Sequence, residues 1–258
     1  MGRLDDVQAA NTFDPGRTLG QSLSIYLRNF PGFTALAIIV NLPTLAVLAW
    51  ILSKDMDFAT AKGLAEVNST LRAVDLFDTA AALVLHPILT AALIYGVVQQ
   101  LRGSPASLGA AISVGFKRML PALGVGLGVG LMTGLGFVAC IVPGFWFAST
   151  YWLSVPVAVM ETGQKSSFDR SKTLTTGIRW KVFAVIFLIM IVEVGVNFGL
   201  TKAMTLDTPG KLKLQRTLVA VTGLLFSVWN ATTAAVGYYE IRRLREGIDI
   251  AEMAAVFD

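Results

Sequence analysis

The chain has 258 residues, 54% of them hydrophobic and only 15% charged, with a net charge of +4. Soluble domains carry about 25% charged residues and lack apolar runs of ~20, so this composition excludes a water-soluble globular fold and points to an all-α polytopic membrane protein. The basic residues gather beside apolar stretches, which makes anionic phospholipids the expected partner and excludes nucleic acid. The single cysteine, Cys140, excludes an intramolecular disulfide and reads as a buried small hydrophobe.

Residues 1–18 hold three aspartates and no apolar core, so they read as a cytoplasmic tail with no cleavable signal peptide. Next comes "LGQSLSIYLRNF" from Leu19. Wound as a helix, Leu19, Leu23, Tyr26, Leu27 and Phe30 form one stripe and Arg28 falls opposite, the pattern of an interfacial amphipathic helix. Pro31 then suits the first turn of a new helix at a sharp elbow. Windows apolar enough to cross ~30 Å at about 1.5 Å per residue fall at residues 30–52, 76–101, 120–141, 144–160, 180–204 and 218–239. These six spans make residues 19–247 one integral membrane domain, with residues 248–258 as a second tail. Between the third and fourth spans, "IVPG" predicts a tight hairpin, since Pro and Gly end one helix and start the next.

The polar segments carry an internal repeat. "LGAAISVGFKRM" from Leu108 aligns with the stretch at Leu19, matching Leu19 to Leu108, Gly20 to Gly109, Ser24 to Ser113 and Arg28 to Lys117, and Pro121 follows as Pro31 does. "SSFDRSKTLTTG" from Ser166 takes the third equivalent place, matched by position because its apolar stripe is degenerate. The expected plan is three units of amphipathic helix plus two spans. Six spans put both termini on one side. Lys54, Lys62, Arg72, Lys202, Lys211, Lys213 and Arg216 fall on the other side. The terminal side takes the remaining fourteen of the 21 basic residues, Arg3, Arg17, Arg102, Lys165 and Lys172 among them, which reads as cytoplasmic in a bacterial inner membrane. "YGVVQQLRG" and "YYEIRRLREG" close the second and sixth spans alike, each with an arginine and a capping glycine at that border.

The run "PGFWFASTYWLSVPVAVMETGQKSSFDRSKTLTTGIRW" is a Pro-Gly turn, then Pro-x-x-x-x-Glu, then Arg-Ser-x-x-Leu-Thr-x-Gly-x-x-Trp. Pro143, Gly144, Pro156, Glu161, Arg170, Ser171, Leu174, Thr175, Gly177 and Trp180 carry it. It resembles the integral-membrane domain of bacterial glycerophosphodiester phosphodiesterases and the related YciC-like inner-membrane proteins. The resemblance implies a six-helix membrane domain and no established activity. Nothing in these 258 residues corresponds to the soluble phosphodiesterase domain with its metal-binding His and carboxylates, so hydrolase function does not carry over.

Asn41, His86, Glu193, Asn197 and Asn230 fall near mid-membrane. A carboxylate there costs about 3 kcal/mol or more if it faces lipid, so Glu193 is expected to face other helices. His86 precedes Pro87, which frees a carbonyl, and Glu193 and Asn197 share a helix face. A Glu193 and His86 pair could bind a polar headgroup or relay a proton. The alternative is interhelical glue, each bond worth about 0.6 kcal/mol. Span three, "LGVGLGVGLMTGLGF", overlaps several GxxxG frames, suited to close internal packing or to a homo-oligomer. At the cytoplasmic border Arg28, Lys117, Arg118, Arg170, Arg179, Trp180 and Lys181 are candidates for headgroup contact or docking. Glu161 is expected to pair with Arg170, Arg179 or Lys181 and so dock the segment at Ser166.

No HExxH, GxSxG or P-loop pattern occurs, and one histidine cannot build a multi-histidine metal centre. No catalytic residue, metal or cofactor is expected. The sequence reads as a non-enzymatic scaffold or regulatory membrane domain engaging anionic lipid, or a membrane protein partner, through its basic surface helices. The alternative is a small transporter or lipid translocator using the mid-membrane polar set. A cavity among the spans would favour the second.

Overall fold

The computed structural model describes residues 12–104, 107–161, 166–204 and 208–248. Arg3, Lys165 and most of the two expected tails lie outside the described residues. The elements among them are α-helices: α1 (Pro15–Arg28), α2 (Phe30–Val40), α3 (Leu42–Ser53), α4 (Ala61–Leu101), α5 (Leu108–Lys117), α6 (Met119–Ala139), α7 (Ile141–Tyr151), α8 (Ser154–Met160), α9 (Ser167–Thr175), α10 (Arg179–Ala203) and α11 (Pro209–Glu246). Four of them, α4, α6, α10 and α11, are long and apolar enough to cross a membrane, and α1 with α2 makes a fifth if that bent pair counts as one span. The elbow expected at Pro31 is the 87° bend between them.

The other two expected spans are each divided. Residues 30–52 split into α2 and α3 at Asn41, whose side chain donates to the Ala37 carbonyl at 2.8 Å while Pro43 opens the next turn. Residues 144–160 split into α7 and α8. Pro156 cannot donate to the Trp152 carbonyl four residues before it, and the Thr150 carbonyl, in the last turn of α7, accepts from the hydroxyls of Ser171 and Thr175 on α9, at 2.9 and 3.1 Å. Hydroxyls of a short helix thus pair a carbonyl at a broken one.

The bundle is built around α4 and α11. α11 buries every residue from 231 to 238 and packs on α1, α2, α4 and α10. At about 1.5 Å per residue, the 41 residues of α4 and 38 of α11 run roughly 60 Å, twice the ~30 Å hydrocarbon core. Large apolar side chains fill the centre, Leu36, Leu89, Leu93 and Leu153 among them, and cover the outside as well. Val138 is 86% exposed and Leu131, Leu135, Val194 and Phe198 are exposed with it, a belt that water would penalise and hydrocarbon accepts. Four of the six glycines of α6, Gly126, Gly128, Gly130 and Gly136, are spent inside the fold, while Gly124 and Gly134 face open space. A Cβ on Gly126 would lie 2.4 Å from Cγ of Pro87, and one on Gly136 would lie 2.9 Å from Cα of Gly144 across the hairpin.

That hairpin differs from the expected one. Pro143 and Gly144 lie in the first turn of α7, and the whole connection is Cys140 with φ −173°. A single extended residue at the tip of two helices points its side chain outward, so Cys140 is exposed and not a buried hydrophobe.

α1, α5 and α9 each stand one to three residues before a long or broken apolar helix. They dock by small or hydroxyl faces. α1 buries Thr18, Ser22, Ile25 and Tyr26 and leaves Leu23 and Leu27 exposed. α5 lays Gly115 against Ala92 and leaves Phe116 outside. α9 buries Ser171, Leu174 and Thr175. In the amphipathic pattern of α1, most of the expected apolar stripe therefore faces out, where an interfacial helix meets lipid.

Asp14 caps α1. Its Oδ1 accepts from the Arg17 N–H at 3.0 Å, and that bond holds the carboxyl below its ordinary 3.8. A depressed acid contributes stability that is present above its ordinary value and lost as pH falls through the lowered one. Asp14→Ala is expected to loosen α1 by about 1 kcal/mol at neutral pH. The gap to wild type should shrink below about pH 4. Amide exchange of residues 16–18 measures both.

Candidate functional site

Three of the five polar residues expected near mid-membrane meet around one cavity. α4 contributes His86, α10 contributes Glu193 and α11 contributes Asn230, and the space they line with α6, α7 and α8 is about 730 Å³. Its walls are mostly apolar, with Phe137, Phe145, Tyr151 and Trp152 presenting rings to it. Phe137 and Phe145 stand edge to face at 5.1 Å, which fixes that side.

None of the three polar side chains is used by the fold. Among the described residues the His86 imidazole, the Glu193 carboxylate and the Asn230 amide have no hydrogen-bond or ion-pair partner, and the Thr133 hydroxyl buried in the same wall has none either. His86 and Glu193 thus share a cavity without touching. Interhelical glue would require the bond they do not make.

A second cavity of about 290 Å³ lies on the other side of His86, lined also by Asn41, Thr44, Asp78, Arg216 and Ser227. His86 and Ala82 line both. Beside it, Arg216 pairs with Asp75 at 2.6 Å. The remaining two polar residues are satisfied locally. Asn41 bonds its own helix, and Asn197 donates to the Glu193 carbonyl at 2.9 Å and faces Thr222 at 3.5 Å.

The terminal end of the bundle holds a charge network. Of the three cations offered to Glu161, the structure pairs Arg170, whose Nε donates at 2.8 and 3.1 Å. Tyr238 donates its hydroxyl to Glu161 at 2.8 Å, and Arg242 lies 3.6 Å from the same carboxylate. Glu246 joins Arg170 and, at 2.8 Å, Arg242. The loop after α8, helix α9 and the end of α11 are thereby tied together, and Arg245 adds a bond to the Thr176 carbonyl. Arg170 is therefore turned inward, and Arg179 stacks over Trp146 at 5.2 Å. Of the remaining border candidates, Arg28, Lys117 and Trp180 are exposed and Arg118 and Lys181 half-buried. Trp180 is 81% exposed, and Arg28, Lys117, Arg118 and Lys181 make no ion pair among the described residues.

Sequence reasoning missed Glu240. It sits inside "YYEIRRLREG", which reads as a basic border, yet it is only 2% exposed and accepts from Thr18 and, at 3.2 Å, from Arg17. Next to it Ser22 accepts from Thr233 at 2.9 Å and from the Trp229 indole at 3.2 Å. A carboxylate among so many cations in a helix that enters the core was the available signal.

No known family's sequence profile, no curated protein and no solved structure matches the chain.

The cavity wall is sensitive to one glycine. A Cβ on Gly237 would lie 2.4 Å from Cη2 of Trp152. Gly237→Ala is expected to cost about 1–3 kcal/mol by overpacking and to push the indole toward the cavity. Thermal unfolding in detergent checks this against Gly223→Ala, where no atom lies within 4 Å and little change is expected.

Proposed function

We propose that the chain is a six-span bacterial inner-membrane protein, both termini cytoplasmic, that binds an amphipathic molecule at mid-membrane and carries it across. On this reading it is a three-unit bundle of surface helix plus two spans, akin to the membrane domain its Pro-Gly to Trp180 motif resembles. One observation carries the proposal: His86, Glu193 and Asn230 line a cavity of about 730 Å³ while making no bond within the fold. Ligand sites are typically apolar clefts of about 300–1,000 Å³ with a few convergent polar groups. Polar side chains are expensive at that depth unless they serve an interior pathway. Breaks at Asn41 and at residues 152–153 suit a helix set that rearranges around such a site.

A second reading, a scaffold held on anionic lipid, draws on the exposed Trp180, Arg28 and Lys117 with the half-buried Arg118 and Lys181. Aromatic and basic side chains are the usual anchors at headgroup level. Native mass spectrometry in lipid nanodiscs separates the two. Translocation predicts a stoichiometric amphiphile held by wild type and lost in Ala148→Phe, which fills the cavity. Loosely held anionic lipid that is the same in both proteins sinks it and leaves the scaffold.

A further inference from the structure

The sign of the charge in the larger cavity narrows what it takes. Among the described residues lining it there is one carboxylate, Glu193, and no lysine or arginine. The smaller cavity, by contrast, has Asp78 and Arg216 together and selects no sign. The same cavity as Glu193 is lined by four aromatic residues, Phe137, Phe145, Tyr151 and Trp152.

An ionised carboxylate in an apolar surrounding needs a counter-charge or becomes costly. The protein supplies none, since His86 makes no ion pair with Glu193 and lines the cavity as an unpaired group. Ring faces are negative and attract cations, more strongly where water is excluded. An anion entering the same space would meet a carboxylate with no compensating cation. A neutral tail would leave Glu193, Asn230 and Thr133 without partners.

We infer, resting on the binding reading above, that the cavity takes a lipophilic cation: one positive group set in an apolar or aromatic body, with Glu193 as its counter-ion and the aromatic and apolar wall packing against that body. Asn230 then serves any polar substituent beside the charge.

The test uses the full chain in detergent and three labelled probes, in equilibrium dialysis: tetraphenylphosphonium, its size-matched anion tetraphenylborate, and neutral N-phenyl-1-naphthylamine. The expected result is binding of tetraphenylphosphonium at least tenfold tighter than of tetraphenylborate. Glu193→Gln should abolish that preference while eluting as wild type does, and Glu193→Asp should keep part of it. Ala148→Phe should weaken binding of the cation at least tenfold, with Ala82→Phe as a second filling variant should the first fold poorly. If the anion or the neutral probe binds as well as the cation, and Ala148→Phe removes it, the cation is the wrong class and the cavity remains a binding site. If no probe responds to either filling variant, the binding reading falls with it.

Discussion

Arg17→Met is expected to release α1 from the bundle, at a cost on the order of 3 kcal/mol. The reason is asymmetry of exposure. Arg17 has 41% of its side chain in contact with solvent, whereas Glu240 has 3%. Removing the arginine strands a charge that water cannot reach; removing the glutamate frees a cation that can turn outward. Glu240→Gln alone should therefore cost less, because its amide oxygen still accepts from Thr18. Arg17→Met with Glu240→Gln should recover most of the loss. Melting temperatures of the four proteins in one detergent form the cycle. Equal damage from both single changes would show that the carboxylate is hydrated after all.

Glu161→Gln is expected to undock α9 without unfolding the spans. Glu161 is 7% exposed and takes bonds from Arg170 and Tyr238, with Arg242 close by. Two arginines gather around it, so the change leaves Arg170 and Arg242 sharing only Glu246. The cost is on the order of 3 kcal/mol, felt locally. A cysteine placed at Thr173, on the exposed face of α9, would be labelled at a similar rate in both backgrounds. One placed at Leu174, buried in wild type, should react at least tenfold faster in the variant. A slow Leu174→Cys in the Glu161→Gln background would show that Ser171 and Thr175 hold α9 by themselves.

These two sites show where sequence reasoning reaches. Glu161 and Arg170 are nine residues apart, with a short connection between, so proximity in the chain foretold proximity in space. Arg17 and Glu240 are 223 apart, and no local pattern joins them. The apolar windows located the long helices because each of those is decided by its own composition. They did not show that α2 and α3 part at Asn41, or α7 and α8 at residues 152–153, since a break depends on which neighbour takes up the freed carbonyls. Mid-membrane depth singled out His86, Glu193 and Asn230, because depth follows from counting along a span. That they line one space without touching follows from the rotation of three helices, which Gly126 against Pro87 helps to set. Asn41 and Asn197 had the same depth and are spent on their own helices.

The clasp between α1 and α11 also imposes an order of assembly. Ribosomes add about 5–20 residues per second, so Thr18 and Ser22 emerge on the order of tens of seconds before Glu240, Thr233 and Trp229 exist. During that wait α1 can pack on α2 and α10, but its Thr18 and Ser22 lack the carboxylate, hydroxyl and indole that α11 brings. The bonds between α1 and α11 therefore form only after the rest of the bundle has been made, and a chain interrupted before Glu240 lacks the carboxylate that holds Arg17 and Thr18.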